Sequence, residues 1–216
     1  MIDQPKVSII LPSLNRGEQL IKTLDNIIST TSGIPIELIV ILSEDDLTSQ
    51  NLMKDRKFLL VPPDFRPVQS WNYGASLSSG EWLYLGNDDV VHPPNWLEKS
   101  LATPNKGFIG ISDGRVNNSW APFFMVTREW CKTYQNGVFV VPHYKHWGLD
   151  PEICARAVRS GTFKLAPIYL LHNHYLVGKS KKDSTYMRAE KYHKLDMILY
   201  EERMKLGFPN DFEGYL

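Results

Sequence analysis

Two adjacent carboxylates, Asp88 and Asp89, stand just beyond the apolar run Trp82 to Leu85. Like charges that close repel, and each costs free energy to desolvate. Water, a basic side chain or a cation must offset that cost. Acids at the end of a buried strand suit a hard divalent cation such as Mg2+ or Mn2+. Such an ion takes one or two protein carboxylates and fills its other positions with water and phosphate oxygens. In an extended chain Asn87 and Asp89 point to one side and Asp88 to the other. Asp89 is then the expected ligand, with Asn87 or Asp88 left to bond a ribose or to order the loop. The plain alternative is a helix N-terminus, where acids ahead of Pro93 and Pro94 favour the dipole. The helical pattern starts only near Asn95, several residues too late for that.

The elements that must hold these acids are legible on either side. Val7 to Leu11 and Ile36 to Leu42 are apolar, β-branched runs that predict buried strands. Phe58 to Val61 and Trp82 to Leu85 predict two more. Leu20, Leu24, Ile27 and Ile28 recur at helical spacing between the first two strands, and Pro67 to Leu77 predicts a helix before the fourth. Strands alternating with helices predict a parallel sheet with helices on its faces. Polar residues cluster after strands one, two and four, where open α/β sheets place ligands. Beyond residue 100 the pattern is less regular. Strands are expected at Phe108 to Ile111, Pro122 to Val126 and Phe163 to Leu171. Helices are expected after Thr127, over Pro151 to Arg159 and over Tyr186 to Met204. Gly80 reads as the helix C-cap before the fourth strand.

Composition limits the alternatives. A chain of 216 residues with a 43% hydrophobic fraction can bury one sizeable core. Lysine plus arginine equals aspartate plus glutamate, 24 each, so nothing suggests a general affinity for nucleic acid or anionic membrane. No apolar run approaches the ~20 residues that span a bilayer. The first residues lack the pattern of a signal peptide. Cys131 and Cys154 lie far apart and read as reduced packing residues of a cytoplasmic protein.

Three stretches in order, VSIILPSLNRGEQLIKTLDNII, IELIVILSEDD and WNYGASLSSGEWLYLGNDD, resemble a family 2-type glycosyltransferase of the GT-A fold. Pro12, Asn15 and Arg16 match the family's first motif, and Ser43 with Glu44, Asp45 and Asp46 the second. Asn72, Gly74 and Gly80 match the third. The similarity covers roughly residues 6–100. Asn87 departs from it, standing where the family often has aspartate. The resemblance implies a three-layer α/β/α sandwich with a mostly parallel central sheet. One domain is expected over 1–216, with a nucleotide-sugar half to about residue 100, an acceptor half to about 178, and a C-terminal lid and helix.

The resemblance also assigns roles. Pro12, Ser13, Asn15 and Arg16 would wall the base, while Glu44, Asp45, Asp46, Asn72, Asn87 and Asp88 would hold the nucleotide-sugar. Asp89 would bind Mn2+ or Mg2+ and neutralise the diphosphate. Leu149 to Arg156 is similar to the family's E-D-x-E-L-x-x-R motif, with leucine replacing the first acid. Asp150 then aligns with the base that inversion requires, and Glu152 is a weaker candidate. Both also make an ordinary helix start, with Asp150 as N-cap and Pro151 following. Tyr144 and Trp147 could stack on an acceptor sugar or sit in the core. His172 and His174 project to one side if extended, as metal or diphosphate ligands or as structural residues. Lys179, Lys181 and Lys182 read as a lid over the diphosphate or as a solvated basic stretch.

The expected function is transfer of a sugar from a nucleotide-diphospho-sugar, UDP-linked by expectation, to an acceptor hydroxyl. A non-catalytic sugar-nucleotide-binding protein of the same fold is the main alternative. A sugar-1-phosphate nucleotidyltransferase ranks below it, because LPSLNRGEQL lacks a glycine-rich basic phosphate loop. The C-terminal helix is left to cap the core or to pair two copies as a homodimer.

Overall fold

Strand β1 (Val7–Ser13) carries its apolar residues on both faces, as a central strand must. Val7, Ile9 and Leu11 enter one core cluster, and Ile10 enters the other. The computed structural model describes residues 6–115 and 120–212. Helix α1 (Gly17–Thr30) follows β1 and buries Leu20, Leu24 and Ile27. Strand β2 (Ile36–Ser43) lies parallel to β1, with Val7 opposite Ile36 and Ser13 opposite Leu42. A short helix, α2 (Leu47–Leu52), then leads to β3 (Leu59–Val61), α3 (Pro67–Leu77) and β4 (Trp82–Leu85). Strand β4 returns to the other flank of β1, parallel to it. The chain thus diverges at β1, and a crevice opens beyond the carboxyl ends of β1, β2 and β4.

The second half extends the same sheet. After β5 (Val90–Val91) and α4 (Trp96–Leu101) come β6 (Phe108–Ser112), β7 (Phe123–Thr127) and α5 (Arg128–Gln135). Then follow α6 (Leu149–Arg159), β8 (Leu165–Tyr169), β9 (Leu171–His172) and the long α7 (Ser184–Lys205). The sheet runs β3-β2-β1-β4-β7-β6-β8. Strand β7 is antiparallel to both neighbours, and the other pairings are parallel. Residues of α3, α5 and α6 pack on one face and those of α1 and α4 on the other, which makes three layers.

Three local outcomes differ from the sequence pattern. The run expected as one strand to Leu171 breaks at Leu170, and β9 leaves the main sheet to pair with β5. That pairing sets His172 opposite Val90, next to Asp89. Gly80 is not the C-cap of α3, a place taken by Ser78. It is instead a point of close approach, where a Cβ would lie 2.6 Å from the backbone nitrogen of Ser8. Finally, α2 lies between β2 and β3, where the apolar pattern predicts no helix, and Asp46 caps it by accepting from the Ser49 backbone.

Candidate active site

A cavity of about 310 Å³ occupies the crevice, roofed by α7. Ser13, Arg16, Asp88, Asp89, Asp150 and His172 all line it, although they come from four separate places in the chain. Pro12, Asn87, Trp147 and His174 line it as well.

The two adjacent acids are treated differently. Asp88 accepts from Arg16 Nη1 at 2.9 Å and from Ser13 Oγ at 2.7 Å. Burial pushes its carboxyl up, against the attraction of Arg16. Arg16 is fully engaged inside the protein. Its Nε and Nη2 reach the carboxylate of Asp183, the N-cap of α7, at 2.7 and 3.0 Å. Its guanidinium also lies 4.0 Å from the centre of the Tyr186 ring. Of the three candidates for offsetting the charge, a basic side chain serves Asp88, which was expected to bond a ribose or to order the loop. Arg16 is correspondingly an internal partner of Asp88 and not a bare wall for a base.

Asp89 keeps one oxygen open. Its Oδ2 accepts from the Tyr186 hydroxyl at 2.8 Å and lies 3.4 Å from His172 Nε2. Its Oδ1 is buried with no hydrogen-bond partner among the described residues, and so is Oδ1 of Asn87. Burial disfavours the Asp89 charge, but His172, Tyr186 and Arg16 outweigh it and hold the carboxyl below the usual range. His172 Nδ1 lies 3.3 Å from Asp113 Oδ2. Burial lowers the His172 pKa, yet Asp113 and Asp89 more than reverse that and raise it to about 8. His174 is different. Its Nδ1 accepts from the Leu176 backbone at 3.2 Å, and burial together with His172 lowers it to about 4.

Among the described residues no group of three or more His, Cys, Asp and Glu side chains is gathered to hold a metal on its own. The corner does fit a cation that brings phosphate and water oxygens as its other ligands. The two buried, unpartnered oxygens of Asn87 and Asp89 are what such an ion would satisfy.

Across the cavity, Asp150 stands in the first turn of α6. Gly148 is the N-cap, in the left-handed conformation with φ 85°, so Asp150 is not the cap its sequence context suggested. Its carboxylate accepts from the Trp120 indole at 3.0 Å and is also held by its own backbone N–H in the first turn. Burial raises the Asp150 carboxyl to about 6. The loop leading to α6 is fixed from α7, where Asp196 accepts the backbone N–H groups of Lys145, His146 and Trp147 at 3.0, 2.8 and 2.8 Å. The Trp147 indole donates to the Ala189 carbonyl at 3.1 Å.

Other candidates lie outside the cavity. Glu152 is fully buried and faces the core, where it accepts from Arg156, Arg203 and Tyr144. It has no free lone pair directed at a substrate, and Tyr144 is a core aromatic spent on Glu152. Asn72 bonds both backbone groups of Val140, at 2.9 and 3.0 Å, and straps α3 to the loop before α6. Asp46 caps α2 and accepts the Asn15 backbone N–H at 2.6 Å, so these two serve each other. Glu44 and Asp45 are exposed at the turn beyond β2; Ser43, which does line the cavity, donates to Asp45. Lys182 pairs with Glu190 on α7.

Sequence reasoning missed Asp113, Trp120, Asp183, Tyr186 and Asp196. Asp113 carried a signal, because it heads an Asp-Gly turn after the apolar run of β6, the same strand-end position as Asp88. Asp183 carried another, as an acid just ahead of a helix. Trp120, Tyr186 and Asp196 looked like ordinary core and helix residues.

The model of glycosyl transferase family 2 matches residues 8–156, and the chain belongs to that family. A Haemophilus influenzae protein described as an uncharacterized glycosyltransferase is 29% identical over 113 residues. The match takes in 48% of this chain and 37% of that protein, so the chain spans little more than a third of it. A Pyrobaculum calidifontis mannosyltransferase solved with GDP-Man and Mn2+ superposes with a TM-score of 0.59 at 18% identity, over 78% of this chain and 56% of that one. The Mycobacterium tuberculosis glucosyl-3-phosphoglycerate synthase, solved with Mn2+, UDP and glucosyl-3-phosphoglycerate, gives 0.61 at 12% identity, over 89% and 80%. S. aureus TarS 1-349 with UDP-GlcNAc gives 0.60 at 16% identity, over 76% and 57%. At these identities the structural likeness is one of fold.

Proposed function

We propose that the chain transfers a sugar from a nucleotide-diphospho-sugar, UDP-linked in the first instance, to an acceptor hydroxyl with inversion. The observation that carries this reading is one cavity lined both by Asp89, with its unpartnered Oδ1, and by Asp150, with its raised carboxyl. Asp89 would hold Mn2+ or Mg2+, with His172 the better placed of the two histidines because its Nε2 faces Asp89. When bound, the ion supplies charge neutralisation for the diphosphate leaving group. Pro12, Ser13 and Ser43 line the part of the cavity that would take the nucleoside. Trp147 supplies an apolar ring face to an acceptor sugar. Asp150 takes the acceptor hydroxyl proton as that oxygen attacks the anomeric carbon. The bond from that carbon to the diphosphate breaks, and its electron pair stays with the diphosphate.

Calorimetry of UDP and GDP binding, with Mn2+ and with EDTA, tests the reading. Asp89→Ala is expected to weaken UDP binding in Mn2+ by at least about tenfold, the scale on which metal sites respond to lost support, and to leave binding in EDTA unchanged. Equal binding of the variant and the wild type in Mn2+ would falsify the cation assignment. Binding without release of UDP from any UDP-sugar would favour the non-catalytic alternative.

A further inference from the structure

We propose that Trp120 is the positioning residue for Asp150: its indole N–H holds Oδ2 of the carboxylate and leaves Oδ1 as the atom that takes the acceptor proton. The inference rests on the reading of Asp150 as the base. The two residues are 30 apart in sequence, line the same cavity and meet at 3.0 Å. Among the described residues Trp120 is the one side chain that hydrogen-bonds Asp150. The usual competitor for a carboxylate in a first helical turn is the helix end itself, and here the Asp150 backbone N–H does assist the carboxylate, with the indole as its side-chain donor. Trp120 is packed against the core cluster on the α6 face of the sheet, so its ring is held independently of the carboxylate.

The choice of an indole has chemical consequences. Its N–H only donates and cannot take up the proton that Asp150 receives. It therefore fixes the direction of the carboxylate without competing as a base. It also favours the ionised form, since a hydrogen bond to the charged state stabilises that state. Burial works the other way and holds the carboxyl at about 6. The other titratable groups facing Asp150 are His172 from β9, Asp113 beyond β6, Cys154 one turn along α6 and Tyr200 of α7.

Trp120→Phe keeps the ring and removes the donor. Two readouts apply to the full chain: the carboxyl carbon titration of Asp150 by NMR, and the pH profile of UDP release from UDP-glucose in Mn2+. The Asp150 midpoint and the acid limb of the profile are both expected to rise by about one pH unit. UDP affinity in Mn2+ should not change. A residue with a merely structural role would not move the midpoint. Should the variant not fold, the wild type still decides: the Trp120 indole N–H resonance must shift with the same midpoint as the Asp150 carboxyl. An unmoved midpoint in the folded variant, or an indole signal indifferent to Asp150, overturns the proposal. A midpoint that rises in a chain releasing no UDP upholds the contact and sinks the transferase reading instead.

Discussion

The chain buries two acid-and-arginine clusters, one around Glu152 and one around Asp88 and Asp89, and they are built to different ends. At Glu152 every oxygen is used. Oε1 accepts from Arg156 and Arg203, and Oε2 from Arg203 and Tyr144. Arg203 goes on to Asp211, which ties α6 and α7 to the C-terminal stretch. At the other cluster Arg16 is shared between Asp88 and Asp183 and makes no hydrogen bond to Asp89, and Asn87 and Asp89 each keep a buried oxygen without a partner among the described residues. A closed cluster needs nothing further and holds helices together. An open one carries a standing cost that a ligand or an ordered water must relieve. Burial alone does not separate them, since both are buried; the count of unmet lone pairs does.

The contrast can be broken most sharply at Asp150. Asp150→Asn should slow UDP release from a UDP-sugar by about a hundred- to ten-thousand-fold, with UDP affinity within about twofold of wild type. In the wild type the rate should fall as pH drops through about 6. There the buried carboxyl, raised from its ordinary value, takes up a proton and stops acting as a base. A flat profile from pH 5 to 8 would remove Asp150 from the chemistry. Next in size, Glu152→Gln should cost about 3–5 kcal/mol of stability in urea denaturation, because two buried arginines lose their counter-charge. The same variant, while folded, should bind UDP normally; lost UDP binding in a folded chain would make Glu152 part of the site. Smallest is Asp46→Ala, expected to cost about 1 kcal/mol as a lost N-cap. If it weakens UDP binding tenfold instead, the acids after β2 are nucleotide ligands after all.

How much of this was legible follows from the range of each interaction. The parallel half was readable because β1, β2 and β4 are continuous apolar runs with helical spacing between them, and local periodicity fixes such elements. The places of Asp89 and Asp150 along the cavity were readable because each ends or begins an element at the rim of the sheet. Glu152 was not, because its partner Arg203 lies 51 residues further on and nothing local announces the pair. The same distance problem hid Arg16, whose second partner Asp183 is 167 residues away. The three acids after β2 look alike in sequence, yet Asp46 caps a helix while Glu44 and Asp45 face solvent, a division of labour that composition does not reveal. His172 depended on β9 leaving the main sheet to join β5, a break that an apolar run conceals.

The last helix carries more than its place in the sequence suggests. It supplies the carboxylate on Arg16, the hydroxyl on Asp89, the carbonyl under Trp147 and the acid beneath residues 145–147. A chain truncated ahead of Ser184 would retain all the strands of the sheet, but it would strip Arg203 from buried Glu152 and Phe212 from the core on the α6 face. It would also forfeit the ceiling of the cavity, so one terminal helix supports both the pocket and the packing of α6.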